Sequence, residues 1–137
     1  MVSSLFESTT IPVLEQVANF ATARHDVLAG NIANLDVPGY QARDLSPAMF
    51  QSRLKEALTE RNRAQSAPSS FGSATLATKP LYEIKNSLEG MLRHDNDNVS
   101  LEQQVAEMNK NQMQHTLALN ILTSQFRLLQ AAISEKP

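Results

Sequence analysis

Apolar residues recur at heptad spacing near both ends of the chain. Near the N-terminus, one row consists of Ile11, Ala18, His25 and Ile32, and a second row, offset by three residues, consists of Leu14, Ala21, Leu28 and Leu35. Near the C-terminus the rows are Val105, Gln112, Leu119, Phe126 and Ile133 and Leu101, Met108, His115, Leu122 and Leu129. Such rows are typical of helices that pack side by side. They predict one helix over 11–35 and a second over 100–134.

The two helices are expected to pack antiparallel against each other through one seam. The residues predicted for this seam are Leu14, Leu28, Ile32, Leu35, Val105, Met108, Leu119, Leu122, Phe126 and Leu129. The C-terminal helix also carries apolar residues outside its two rows, and one partner helix cannot cover all of them. Leu117, Ile121 and Leu128 are therefore predicted to contact neighbouring subunits.

Polar residues interrupt the apolar rows of both helices at nearly the same height of this hairpin. They are His25 in the first helix and Gln112 and His115 in the second. One interpretation is a buried polar layer that fixes the register of the helices, as in coiled coils. The other is a splayed and solvated level, at which each side chain faces water.

The segment between the helices is predicted to be an irregular connection over 36–99 that contains one short helix. Ser46 and Pro47 are suited to a helix start, and apolar residues follow at i+4 spacing, which predicts a helix near 47–63. A stretch rich in Ser, Ala, Thr and Pro comes next, and 81–85 suggests a short extended segment. The predicted fold class is thus all-α, with 1–137 as a single domain.

The composition excludes several kinds of site and partner. Aromatic residues make up only 5% of the 137 residues, so the core is thin and helices that complete their burial on neighbours are favoured. The absence of cysteine excludes disulfides and thiolate metal sites. A net charge of −2 gives no reason to expect a nucleic-acid partner. No apolar run approaches the roughly 20 residues of a membrane span, and no cleavable secretory signal is visible.

The sequence gives little support for a catalytic or metal-binding site. His25 and Asp26 are adjacent on a helix and do not face each other, so they do not form an acid–base pair. The acidic run 95–98 lacks the glycine and glutamate that complete a calcium loop. We therefore expect no enzymatic activity, no metal, no cofactor and no small-molecule substrate.

A strong stop signal ends the first helix. Asn31 and Asn34 compete for backbone hydrogen bonds, Pro38 disfavours helix in the residue before it, and Gly39 permits a positive φ. Taken alone, these residues predict a turn followed by an amphipathic Tyr40.

Together with its surroundings, this stop signal resembles a family signature. Residues 28–44 read LAGNIANLDVPGYQARD, which closely resembles the N-terminal signature of bacterial flagellar rod, hook and hook-associated proteins. The C-terminal region, with Asn98 just before a helix and NKNQ at 109–112, resembles the ending of the same family. The residues that match the family's motifs are Asn31, Ala33, Asn34, Pro38, Gly39, Tyr40 and Asn98. The short length and the uninterrupted Pro38-Gly39-Tyr40 are similar to the proximal rod subunits, the FlgB family.

The resemblance implies a structural subunit of the flagellar basal-body rod. Such a subunit polymerises through its terminal helices and builds the proximal part of the drive shaft. The implied partners are other rod proteins, copies of the chain itself, and the membrane ring and export gate at the base of the rod. The implied location is the periplasmic rod, reached through the flagellar type III export apparatus without a cleavable signal peptide. The alternative interpretation is a soluble helical adaptor or export chaperone that binds one partner through its apolar C-terminal helix.

Overall fold

Two long helices and a shorter third helix dominate the protein. The computed structural model describes residues 9–66, 83–84, 88, 92–94 and 100–134. In chain order the elements are helix α1 (Ile11–Ala33), strand β1 (Arg43–Leu45), helix α2 (Pro47–Ser66), strand β2 (Leu92–His94) and helix α3 (Leu101–Ser134). The predicted class, with long terminal helices and a shorter central helix, is confirmed.

The helix ends follow from local hydrogen bonds. α1 ends at Ala33, two residues earlier than predicted, because Asn34 caps it: the Asn34 backbone N–H and its Nδ2 both donate to the carbonyl of Gly30, at 3.2 and 2.8 Å. α3 begins after Ser100, whose Oγ accepts a hydrogen bond from the backbone N–H of Gln103 at 3.3 Å. This confirms the predicted N-cap.

The predicted start of α2 is also confirmed, since Ser46 Oγ accepts a hydrogen bond from the backbone N–H of Met49 at 3.3 Å. The helix then runs to Ser66, three residues past its predicted end. Of the extended segment predicted at 81–85, the structure describes only Glu83 and Ile84. These two residues are helical, so the prediction is wrong for them.

A two-stranded antiparallel ribbon lies within the central connection, and sequence analysis did not predict it. β1 pairs with β2, so that Arg43 lies opposite His94 and Leu45 opposite Leu92. Strands of three residues are too short to show the alternation by which strands are identified in a sequence. The ribbon follows directly on the turn after α1.

The apolar core lies between α1 and α2. Phe20 and Phe50 stack with ring centroids 4.1 Å apart and planes inclined by 12°. Leu45, Ala57 and Ile84 complete the buried cluster. α2 therefore covers one face of α1, while α3 packs antiparallel along another face of α1.

Candidate functional site

The turn after α1 is organised around the buried side chain of Asn31. Its Nδ2 donates to the carbonyl of Arg43 at 2.6 Å and to Gln104 Oε1 at 3.1 Å. Its Oδ1 accepts from the backbone N–H of Arg43 at 3.0 Å and from the hydroxyl of Tyr40 at 3.1 Å. Asn31 is 1% exposed and makes every hydrogen bond that its two donors and two lone pairs allow. One amide thus joins α1, the turn, β1 and α3.

The turn itself contains the positive φ that was predicted for Gly39. Its φ is +78°, and no other residue among those described has a positive φ. Two tight hydrogen bonds shape the turn, from the Val37 N–H to the Asn34 carbonyl at 3.0 Å and from the Tyr40 N–H to the Val37 carbonyl at 3.1 Å. This geometry brings the Tyr40 hydroxyl to Asn31.

We expect Gly39→Val to destabilise the protein by about 1–3 kcal/mol and Gly39→Asn by less. A Cβ added at Gly39 would meet no atom within 4 Å, so the backbone conformation alone decides the cost. Asparagine tolerates the left-handed region better than a β-branched residue. The measurement is the thermal unfolding midpoint of each variant. Equal midpoints for the two variants would contradict the prediction.

Beside this turn, Arg24 forms an ion triad, by which we mean Arg24, Asp44 and Glu107. The guanidinium donates from Nε to Asp44 Oδ1 at 2.8 Å and from Nη2 to Asp44 Oδ2 at 2.7 Å. Nη2 also donates to Glu107 Oε2 at 2.9 Å. Arg24 is 3% exposed, and the hydrogen bonds that it donates to Asp44 are the largest cause that raises its pKa, against the opposing effect of burial. The triad links α1 to β1 and to α3.

In the contact between α1 and α3, one row of each helix is the predicted one. The other row of each helix lies one residue before the predicted row. Ala21 and Leu28 are buried as expected for the row that begins at Leu14. On α3, Met108 and His115 are partly buried in this contact, and Leu122 and Leu129 of the same row are partly buried further along the helix. The second buried row of α3 is Gln104, Asn111 and Ala118, each one residue before a predicted position. On α1, Arg24 and Asn31 are buried in place of His25 and Ile32, which are half-buried.

Hydrogen bonding across the hairpin explains this shift. Asn111 is 1% exposed, and its Nδ2 donates to the backbone carbonyl of Ala21 at 2.7 Å. A side chain as short as asparagine reaches a helical carbonyl only where two helices approach closely. The small side chains of Ala21 and Ala118 are both buried and allow that approach. Asn31 and Gln104, which are hydrogen-bonded to each other, are thus buried where the sequence pattern predicted the apolar Ile32 and Val105.

Four residues predicted for the seam lie beside it. Leu35, Val105, Leu119 and Phe126 are between 39% and 45% exposed. Leu35 follows the end of α1, and the other three belong to the row of α3 that the buried polar row replaces. The assignment of these four residues to the intramolecular seam is corrected accordingly.

The residues of the predicted polar layer, His25, Gln112 and His115, line one cavity of about 150 Å³. Its lining residues are Ala21, Thr22, His25, Asn111, Gln112 and His115. Thr22 Oγ1 and His115 Nε2 are 3.4 Å apart, whereas His25 Nδ1 and Asn111 Oδ1 are buried without a hydrogen-bond partner. Gln112 is exposed. The polar breaks thus fall at one height, but Thr22 and Asn111 make the hydrogen bonds.

An apolar groove of about 350 Å³ opens between the three helices. Its lining residues are Leu14, Val17, Phe20 and Ala21 of α1, Pro47, Phe50, Gln51 and Leu54 of α2, and Gln114, Leu117, Ala118 and Ile121 of α3. None of the described residues in the lining carries a charge. Leu117 and Ile121, which were predicted for subunit contacts, form the α3 wall and are 60% and 40% exposed.

The C-terminal end of α3 runs past the beginning of α1. Asn111 lies opposite Ala21, so ten residues further in each direction Ile121 is level with Ile11, the first residue of α1. We call the following segment of the helix, 122–134, the overhang; it extends about 20 Å beyond that level. Within it Leu128 is 63% exposed and Ile133 is 72% exposed.

Arg24, Gln104 and Glu107 are functional candidates that sequence analysis missed. The signal that points to them is a cation at position 24 whose neighbours three and four residues away on the helix are all apolar, namely Phe20, Ala21, Val27 and Leu28, because a charge on such a face requires a carboxylate nearby. Among the described residues no three His, Asp or Glu side chains are grouped to hold a metal ion. Over the same described ranges, no helix has the length and apolar character of a membrane span. The hydrogen bonds of Asn31 and the ion triad together join α1, the turn, β1 and α3, and we call this set of contacts the junction. Apolar surface lies beside it.

Comparison with known proteins gives relatives from several bacteria. The chain is 29% identical to the Flagellar basal body rod protein FlgB of Escherichia coli (strain K12), over 82% of this chain and 84% of the relative. It is 27% identical to the protein of that name from Aquifex aeolicus (strain VF5), over 90% and 91% of the two chains. For Bacillus subtilis (strain 168) the identity is 26%, over 96% and 97%. No protein-family model and no solved structure matches the chain.

These relatives confirm the resemblance that the motifs at the two ends predicted. The matches cover most of the chain and most of each relative, so they are not limited to the motifs. Asn31 and Tyr40, which carry the N-terminal motif, are the residues that the structure places at the centre of the junction.

Proposed function

We propose that this chain, a relative of the flagellar rod proteins named FlgB, is a structural subunit of the flagellar basal-body rod. The observation that carries this function is the similarity over most of the chain to rod proteins from several bacteria. The chain contributes by polymerising through its terminal helices and so building the proximal part of the drive shaft. The adaptor interpretation gains no support from these relatives.

Two features of the structure support assembly. The junction around Asn31 and the ion triad holds α1, the turn, β1 and α3 together as one unit. α3 meanwhile presents apolar side chains to solvent, and contiguous apolar surface of this kind marks a protein contact. The proposed role is therefore structural, through packing against neighbouring subunits, and the relatives named as flagellar basal body rod proteins support it.

The partners follow from the proposed position in the rod. They are further copies of this chain, other rod proteins, and the membrane ring and export gate at the base of the rod. The location is the periplasmic rod, reached by export through the flagellar type III apparatus without cleavage of a signal peptide. The family resemblance supports these finer assignments.

A direct test is to delete the chain from its bacterium and restore it with a tagged copy. Deletion should abolish motility and rod formation, and the tagged copy should restore both and be recovered in purified basal bodies. Motile cells after deletion, or basal bodies that lack the tagged copy in complemented cells, would overturn the proposed function.

The exposed face of α3 supplies a sharper prediction. Leu128→Asp should block incorporation into rods and abolish swimming, because a carboxylate in an apolar contact loses its hydration without gaining a partner. The fold should survive, since Leu128 is 63% exposed. Gln130→Asp, on the opposite side of the same exposed turns, is the matched control and should swim normally. Normal motility of Leu128→Asp would remove Leu128 from the subunit contact.

A further inference from the structure

We infer that residues 1–8 of the chain continue past the start of α1 and cover one face of the overhang. That face consists of Leu122, Gln125 and Leu129, and we call it the overhang stripe. The inference goes beyond the proposed function, because it assigns a contact within a single chain, which does not depend on assembly into a rod. It gives the overhang stripe one occupant, the N-terminal segment of the same molecule.

Burial along the overhang is confined to this stripe. Leu122, Gln125 and Leu129 are partly buried, whereas every other residue over 122–134 is exposed. Positions i, i+3 and i+7 lie on one face of a helix. A helix face that is shielded over two turns, while the rest of the same turns is exposed, has a segment of chain packed against it. The shielding occurs within a single chain, so a neighbouring subunit does not supply the cover.

The described helices do not account for this cover. α1 is the element that packs closely along α3, and it begins at Ile11, level with Ile121. Leu129 lies eight residues beyond that level, about 12 Å further along α3. α2 packs on a different face of α1. The occupant of the overhang stripe therefore comes from a part of the chain outside the described ranges.

The N-terminal segment starts at the right place. Residues 1–8 precede Thr9, whose carbonyl accepts a hydrogen bond from Arg61 Nη1 at 3.3 Å. In the register set by Asn111 and Ala21, Thr9 is level with residue 123 of α3, at the beginning of the overhang stripe. Because α1 and α3 are antiparallel, the overhang extends in the direction in which the chain continues from Ile11 towards its N-terminus.

The segment also has a suitable length and composition. The overhang stripe covers about 10 Å of α3, and eight residues span about 12 Å even as a helix. The apolar Leu5 and Phe6 are at most four residues from Thr9, so about 14 Å of chain brings them beside Gln125. Phe126, which borders the stripe, is not without a partner, and its ring is a suitable contact for that of Phe6.

Thiol accessibility tests this contact, and the absence of native cysteine gives each variant a single thiol. Gln125→Cys places the thiol in the overhang stripe, and Gln130→Cys, the matched control, places it at an exposed position of the same helix. In the purified full chain, Gln125→Cys should react with a maleimide roughly threefold to tenfold more slowly, because the reagent must wait until the cover is displaced. Equal rates would show that the stripe is open and would overturn the inference.

The double change Leu5→Ser with Phe6→Ser identifies the occupant. It should raise the reaction rate of Gln125→Cys to within about twofold of that of Gln130→Cys, because the cover loses its apolar anchors. The rate of Gln130→Cys itself should not change.

A second segment outside the described ranges, 67–82, supplies the control for this double change. Phe71→Ser with Leu76→Ser makes the same kind of substitution there and should leave the rate of Gln125→Cys unchanged. If this control raised the rate and the change at Leu5 and Phe6 did not, the central connection would be the cover, and the inference would be overturned.

A photo-cross-link tests the same contact without removing an apolar side chain, in case the serine changes disturb folding. Benzoylphenylalanine in place of Phe6 keeps an aromatic ring at this position, and ultraviolet light joins it to the residue that it touches. We expect a cross-link within one chain to a peptide that contains 122–129, identified by mass spectrometry. A cross-link to another segment, or only between two chains, would overturn the inference. Neither result bears on the rod function, which the deletion experiment tests separately.

Discussion

Asn31→Asp is expected to destabilise the protein by about 2–6 kcal/mol, although the two side chains have the same shape. The change removes both hydrogens of Nδ2, so the carbonyl of Arg43 and Oε1 of Gln104 lose their donor and face a carboxylate oxygen. Each buried acceptor left without a donor costs about 1–3 kcal/mol. The measurement is the free energy of unfolding from urea denaturation of the purified chain.

Asn34→Asp is the matched control for this prediction, since it makes the same chemical change in the same motif. Asn34 is half-buried and donates through Nδ2 only to the carbonyl of Gly30. Its replacement should cost less than about 1.5 kcal/mol, the net value of one ordinary hydrogen bond. If the two variants unfolded at the same urea concentration, Asn31 would not be the centre of the junction.

The double change Asp44→Ala with Glu107→Ala is expected to cost about 3 kcal/mol, because it leaves the buried cation of Arg24 without a carboxylate. Removing the partners of a buried charge costs about 3–5 kcal/mol. The lower end applies because the Asp44 and Glu107 side chains are about one-third exposed, so solvent already screens some of the attraction. Thermal or urea unfolding of the purified chain measures the loss.

Adding Arg24→Met to that double change should recover stability. An apolar side chain of similar length removes the unpaired charge, and apolar replacements of buried ion pairs are often neutral or stabilising. The triple variant should therefore be more stable than the double variant. A further loss of stability in the triple variant would show that Arg24 contributes through its packing and not through the ion triad.

The sequence allowed prediction of those features that local chemistry determines. Ser46 and Ser100 cap helices because their hydroxyls reach a backbone N–H three residues on. Gly39 adopts a positive φ after the stop signal because it has no Cβ that would clash there. The two heptad patterns predicted the antiparallel terminal helices, since a row of apolar residues at that spacing requires a helical partner.

The facing rows of the hairpin could not be predicted, because the sequence offers two neighbouring rows at the same spacing. The apolar row of α3 that includes Val105 and Leu119 has the stronger hydrophobic signal, yet the row of Gln104 and Asn111 is buried. That choice depends on the partners of the polar groups: Asn31 for Gln104 and the Ala21 carbonyl for Asn111. Such partners lie 73 and 90 residues away in the chain, beyond the reach of any local pattern.

The polar row gives the hairpin a mechanical property that apolar contacts alone would lack. Side chains that repeat every seven residues would accept a slip of one heptad, about 10 Å, with little change in packing. The ion pair of Arg24 with Glu107 has no equivalent one heptad away, because the residues seven positions from Glu107 are Ser100 and Gln114, which carry no carboxylate. Sliding of α3 along α1 must therefore break this ion pair without replacing it, and it breaks the hydrogen bonds of Asn31 and Asn111 at the same time, so the hairpin resists an axial force that apolar rows alone would let pass.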